Sequence, residues 1–210
     1  MAGALLLNIG TLNPGLLESM IAAGKAAGKA GIPVIFDPVG VGATGIRSAA
    51  GLEIMEELAV AVVKGNPGEV LSLAGARGAV RGVDSVETSF SRGRELIMEY
   101  ARKTGAVMAV TGPEDFVTDG RRWARCGNGH PMMTMVTGTG CGATTAVACL
   151  AGAGIPPFEA AAAGLAFYAL AGQHAGERAA GPGSFVPLFI DALADPDGLP
   201  WDRLILETGE

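Results

Sequence analysis

Short, nearly continuous apolar runs alternate along this chain with longer stretches in which apolar residues recur every three or four positions. Residues 5–9, 34–37, 59–63 and 106–110 are runs of the first kind. Their length and lack of polar alternation predict strands buried on both faces. Between them, residues 14–30 read as a helix, with Asn13 able to cap it and Pro14 at its first position. Helical spacing returns at 47–58, 67–74 and 94–103, the last amphipathic through Leu96, Ile97 and Tyr100. Residues 116–118 and 123–126, with Asp119-Gly120 between them, read as an antiparallel hairpin. Helices over 141–150, 158–178 and 185–194 close the chain. Apolar strands alternating with helices predict an α/β fold: a mostly parallel sheet covered on both faces.

Composition narrows the class. The 210 residues are 49% hydrophobic and 17% charged, which suits one α/β domain spanning residues 1–210. No internal repeat or linker interrupts it. The net charge of −6, with no basic stripe, argues against nucleic-acid binding. Cys126, Cys141 and Cys149 are odd in number and lack metal-type spacing, which argues against a disulfide framework or a zinc site. Met1-Ala2-Gly3 opens no secretory signal, so a reducing cytoplasm is expected. The apolar stretch over 140–172 is broken by Pro156, Pro157 and Glu159 into runs too short for a membrane span.

Ligands of such sheets bind beyond the carboxyl ends of the strands. Those ends read Asn8-Ile9-Gly10-Thr11, Asp37-Pro38-Val39-Gly40, Lys64-Gly65-Asn66 and Thr111-Gly112, all polar or glycine-rich and all expected on one rim. The most informative segment comes later, at Val136-Thr137-Gly138-Thr139-Gly140-Cys141-Gly142. Its glycines leave backbone N–H groups uncovered at a helix start, where the helix field adds partial positive charge. Such a nest can hold the charge of a transferring phosphoryl group. Cys141 falls in the first helical turn, where a thiolate is favoured and can accept a proton from an alcohol. The competing reading is a glycine-rich turn with a buried structural cysteine.

Lys64-Gly65-Asn66-Pro67-Gly68-Glu69 sets a cation and a carboxylate near one strand end, which suits a magnesium nucleotide. It equally suits an Asn cap, a proline at the first helical position and an acid favourable to the helix dipole, and capping is the commoner use of the pattern. Asp37 is a strand-end carboxylate fit for Mg²⁺ or for polarising a water. Thr111 could offer its hydroxyl to a phosphate or simply make a turn. Gly40, Gly42 and Gly45 spell G-x-G-x-x-G, but Asp37-Pro38 precedes them and the next strand ends in Lys64 rather than an acid, so a dinucleotide site is disfavoured. No P-loop is present, because Gly28-Lys29 has neither the upstream glycine nor the following Ser or Thr.

Taken together, Leu7-Asn8-Ile9-Gly10-Thr11-Leu12, Asp37-Pro38-Val39-Gly40-Val41-Gly42-Ala43-Thr44, Lys64-Gly65-Asn66 with Glu69, Thr111-Gly112, Gly138-Thr139-Gly140-Cys141 and Gly181-Pro182-Gly183-Ser184-Phe185 resemble, in kind and order, the hydroxyethylthiazole kinases. The resemblance implies a ribokinase-like three-layer α/β/α fold with a mostly parallel central sheet. It implies transfer of phosphate from ATP, with Mg²⁺, to the primary alcohol of 4-methyl-5-(2-hydroxyethyl)thiazole. By position, Cys141 becomes the catalytic base. Gly138, Thr139 and Gly140 form the anion hole, with Gly138 also against the substrate. Lys64, Asn66 and Thr111 meet ATP, and Asp37 and Glu69 serve the magnesium. The family usually has Arg where this chain has Lys64, which keeps the charge but loses the bidentate fork. The resemblance also implies a homotrimer with shared sites, and an α/β unit ahead of the Asn8 strand that would mark this chain as truncated or degenerate. Two alternatives stay open: a hydroxymethylpyrimidine kinase, which has a similar Gly-Thr-Gly-Cys segment, and a non-catalytic nucleotide-binding relative.

Overall fold

Alternate residues of each strand point to opposite faces of a sheet, and both faces here are apolar. In the computed structural model, which describes residues 2–75 and 86–210, Ile35 packs into one core while Val34 and Phe36 pack into the other. Val107 and Ala109 join Ile35, whereas Met108 and Val110 join Phe36. Such two-sided burial is why these strands read as unbroken apolar runs.

The sheet has seven strands in sequential order: β1 (Leu5–Asn8), β2 (Val34–Asp37), β3 (Val60–Gly65), β4 (Val107–Val110), β5 (Asp115–Thr118), β6 (Trp123–Cys126) and β7 (Leu206–Gly209). Strands β1 to β4 are parallel, with Asn8 beside Asp37 and Lys64 beside Ala109. From β4 onward the pairing is antiparallel, and the expected hairpin pairs Phe116 with Arg125. One face is covered by helices α1 (Pro14–Lys29), α2 (Gly45–Glu57), α3 (Pro67–Leu73) and α4 (Val86–Thr104). The other carries α5 (Thr139–Gly152), α6 (Pro157–Gly176) and α7 (Pro182–Ala194). The result is the three-layer α/β/α arrangement expected from the pattern. No helix among the described residues is long and apolar enough to cross a membrane.

Local chemistry sets the helix starts. The Asn13 side chain accepts from Leu16 N–H, Thr44 from Arg47 N–H and Asn66 from Glu69 N–H, with a proline in the first turn of α1 and α3. Several bounds differ from the sequence expectation: α4 starts at Val86 rather than 94, α5 at Thr139 rather than 141 and α7 at Pro182 rather than 185. Lys64 and Gly65 lie inside β3, because β4 continues the ladder past the apolar run. Strand β7 was not expected at all: Leu206-Glu207-Thr208-Gly209 is exposed, and only its pairing with β6 makes it a strand.

Candidate active site

Parallel strands β1 to β3 end side by side, so Asn8, Asp37 and Lys64-Gly65 share one rim. Helix α5 starts over that rim, and its first turn meets the strand ends directly. Lys64 Nζ donates to Gly140 O at 2.8 Å. Asn8 Nδ2 donates to Cys141 Sγ at 3.3 Å and to Asp37 Oδ2 at 3.1 Å. Thr144 Oγ1, one turn into α5, donates to the same Asp37 oxygen at 2.7 Å. Residues separated by more than a hundred positions thus converge on the carboxylate of Asp37.

The start of α5 differs from those of α1, α2 and α3. Its N-cap is Gly138, with φ +94° and no side-chain cap. A side chain would be strained at that φ, so glycine is required there. The first intrahelical bond runs from Gly142 N–H to Gly138 O at 2.8 Å. The N–H groups of Thr139, Gly140 and Cys141 precede it and have no intrahelical partner. They form a concentrated donor set with the positive end of the helix field behind it. The Thr139 hydroxyl itself is turned elsewhere, donating to Met133 O at 2.8 Å in the 3₁₀ turn Pro131–Met135. Thr139 can therefore serve an anion only through its backbone. Gly142 is needed for a packing reason: a Cβ there would lie 2.2 Å from Tyr168 Oη.

Electrostatics at the rim are uneven. Asp37 is 2% exposed and Lys64 4%. Burial pushes the Asp37 carboxyl above its ordinary range; Lys64 and the Thr144 hydrogen bond oppose this, while the nearby Glu69 carboxylate adds to it. Burial also pushes the Tyr168 hydroxyl up to about 12, with Cys141 acting in the same direction. Cys141 is exposed.

Glu69 is held as the capping alternative described. Its Oε2 accepts from Asn66 N–H at 2.8 Å, while Asn66 Oδ1 accepts from Glu69 N–H at 3.0 Å. The other oxygen, Oε1, accepts from Gly40 N–H at 2.9 Å, tying the Asp37-Pro38-Val39-Gly40 loop to α3. Asn66 thus has its side-chain oxygen committed to the helix. Thr111 sits beside Gly65 at the next strand end: its N–H donates to Gly65 O at 2.9 Å and its hydroxyl reaches the same oxygen at 3.4 Å.

Three participants were given no role from sequence. Asn8 was read only as a polar strand end, and Thr144 as part of a helix. Asp115 opens β5, accepts from Gly112 N–H at 2.9 Å, and is pushed by burial up to about 6, against the pull of that bond and of Lys64. A carboxyl raised in the folded state favours its protonated form. Its contribution to stability is therefore complete below the ordinary carboxyl range and is lost as pH rises from about 4 to about 6. Asp115→Asn keeps an acceptor for Gly112 and removes this loss. The variant is expected to match the parent near pH 4 and to exceed it at pH 7 by on the order of 2 kcal/mol in urea unfolding. A constant difference between the two chains across that window would contradict a buried titration at Asp115.

The rim thus brings together the exposed Cys141 thiol, an uncapped helix start, the buried Lys64 and Asp37 and the partly buried Glu69, groups of the kind that phosphoryl transfer to a hydroxyl calls for. Comparison with known proteins agrees. Residues 1–196 match the profile of the hydroxyethylthiazole kinase family. A hydroxyethylthiazole kinase of Cereibacter sphaeroides is 50% identical over 200 residues, covering 94% of this chain and 75% of that protein. One from Desulfotalea psychrophila is 45% identical over 192 residues, covering 91% and 70%. The solved hydroxyethylthiazole kinase of Pyrococcus horikoshii OT3 superposes with a TM-score of 0.85 at 34% identity, covering 99% of this chain and 78% of that one. The pyridoxal kinase of Staphylococcus aureus, solved with AMP-PCP, superposes at 0.54 and 20% identity over 80% of this chain and 62% of its own, a likeness of fold alone. With the profile spanning residues 1–196 and the ribokinase-like layers in place, this chain belongs to the hydroxyethylthiazole kinase family.

Proposed function

We propose that this chain transfers the terminal phosphoryl group of ATP to the primary alcohol of 4-methyl-5-(2-hydroxyethyl)thiazole. The observation that carries the reading is the first turn of α5. There Cys141, the uncapped N–H groups of residues 139–141 and the buried Lys64 ammonium meet at one point.

That geometry supports the following roles. Cys141 takes the alcohol proton as the oxygen attacks phosphorus in line. The Gly138–Gly140 segment receives the transferring group on backbone N–H donors that are already oriented. Lys64 supplies a positive charge beside the same turn. Thr111 and Asn66 flank the nucleotide side at the ends of β4 and β3.

The residues present fit a divalent cation. Asp37 and Glu69 are close enough for the charge of one to hold the other's proton more firmly. A bound Mg²⁺ would relieve that repulsion, and Mg²⁺ in kinases needs only one or two carboxylates besides phosphate and water. Asp37 and Glu69 would hold it, Glu69 while keeping its bonds to Gly40 and Asn66; it would neutralise phosphate charge. The chain is read as working in the cytoplasm, as a homotrimer with sites shared between subunits.

The test is ATP consumption by the purified chain with Mg²⁺ and the thiazole alcohol, with hydroxymethylpyrimidine in parallel. Turnover with the thiazole alone is the expected result. Preference for the pyrimidine would replace the substrate assignment, and ATP binding without turnover would favour the non-catalytic relative.

A further inference from the structure

We infer that Asn8 is a positioning residue that holds the Cys141 sulfur ready for proton transfer. The inference rests on the reading of Cys141 as the base and adds to it the group that aims that base.

The orientation of the Asn8 amide is determined from both ends. Gly10 N–H donates to Asn8 Oδ1 at 2.9 Å, which requires the oxygen on that side. The NH₂ group must then face the opposite way, where it meets two acceptors: Cys141 Sγ at 3.3 Å and Asp37 Oδ2 at 3.1 Å. Each amide hydrogen has one of these partners. Asp37 is in turn held by Thr144 Oγ1 at 2.7 Å, so the second amide partner is itself immobile. The side chain is thus a rigid strut between the end of β1 and the first turn of α5.

The strut has a chemical consequence. The N–H aimed at Sγ restricts where the sulfur can sit, and the other N–H of the same amide does so for Asp37 Oδ2. The charged groups around this strut include Asp37 on β2, Lys64 at the end of β3 and Glu69 on α3, with the Tyr168 hydroxyl of α6 packed near the same turn. The hydrogen bond to the sulfur comes from Asn8. When Cys141 takes the alcohol proton, an S–H bond forms and the O–H bond breaks; the alcohol oxygen bonds the terminal phosphorus of ATP as the bond from that phosphorus to the bridging oxygen breaks and ADP leaves; Asn8 keeps the sulfur on that trajectory.

The experiment is a double-mutant cycle. Asn8→Leu is similar in size and has no donor. On the otherwise unaltered chain it is expected to lower kcat about 10- to 100-fold with little change in the KM for ATP. In a Cys141→Ala background it is expected to cost nothing more, because the group it acts through is gone. An equal loss in both backgrounds would mean that Asn8 only supports the fold, and the inference would be wrong. If Asn8→Leu does not accumulate as folded protein, Asn8→Ala is read in the same cycle.

A second measurement does not depend on turnover. Cys141 and Cys149 are both exposed on α5, so Cys149 serves as an internal reference. Asn8→Leu is expected to lower iodoacetamide labelling of Cys141 relative to Cys149 by about threefold or more, since the sulfur is no longer held in one orientation toward the rim. An unchanged or raised ratio overturns the inference. Should the unaltered chain fail to phosphorylate the thiazole alcohol, the functional reading fails on that control, and the labelling ratio still decides the role of Asn8.

Discussion

Replacing Cys141 with alanine is expected to lower kcat about 10²- to 10⁴-fold while leaving the KM for ATP nearly unchanged, the range of a lost general base. Alanine has no lone pair for the alcohol proton, yet the substitution leaves the rest of the site standing. The N–H groups of the first turn belong to the backbone, and Lys64 bonds the carbonyl of Gly140 rather than residue 141. Cys141 is exposed, so the shorter side chain opens no cavity and thermal stability should hold. Steady-state kinetics with ATP and the thiazole alcohol varied in turn separate the two constants. A kcat that survives would place the base elsewhere, and the next acceptor along the same hydrogen-bond chain is Asp37.

Lys64→Met is expected to lower kcat/KM for ATP about 10²- to 10³-fold, the loss typical of removing one preoriented charge from a transition state. The placement of Lys64 is otherwise hard to account for. An ammonium 4% exposed carries a desolvation cost, and it sits against the first turn of a helix whose field is itself positive. What offsets the cost in the unliganded chain is negative charge around it: Lys64 draws down the carboxyl affinities of both Asp37 and Asp115. A cation held between carboxylates beside an open helix start is poised for a phosphate arriving from the rim. Methionine keeps the length and apolar stem but removes the charge, whereas Lys64→Arg restores charge with a wider head. Arginine is expected to recover most of the activity that methionine loses. If Lys64→Met instead binds ATP as the parent does and only melts earlier, then Lys64 serves to neutralise Asp37 and Asp115 rather than to hold the nucleotide.

Much of the architecture was legible in the chain. Run length located β1 through β4 as apolar strands, the Asp119-Gly120 turn located the β5–β6 hairpin, and the side-chain caps Asn13 and Asn66 with their following prolines announced two helix starts. The glycines at 138, 140 and 142 pointed to an open helix start, expected at 141; the structure starts α5 at Thr139, behind a left-handed Gly138. The rim followed from parallel strands ending together. Strand β7 was not legible, because its four mostly exposed residues, Leu206-Glu207-Thr208-Gly209, become a strand only through pairing with β6, some eighty positions away in sequence.

The site was legible in its membership more than in its connections. Lys64, Asp37, Cys141 and Glu69 could each be picked out as chemistry-bearing residues at strand or helix ends. How they divide the work is a matter of distances. Glu69 closes a capping box and reaches Gly40 because α3 starts beside the loop after β2. Asn8 and Thr144 carried no local signal, since an Asn ending a strand and a Thr inside a helix are common in any protein. Their roles come from meeting Asp37 across 29 and 107 positions. The sequence by itself thus determined the order of elements, their two-sided burial and the open start of α5, all of which depend on neighbours within a few residues. Only the tertiary structure decided which donor reaches which acceptor, because a hydrogen bond is set by ångström-scale approach between segments that local preference does not bring together.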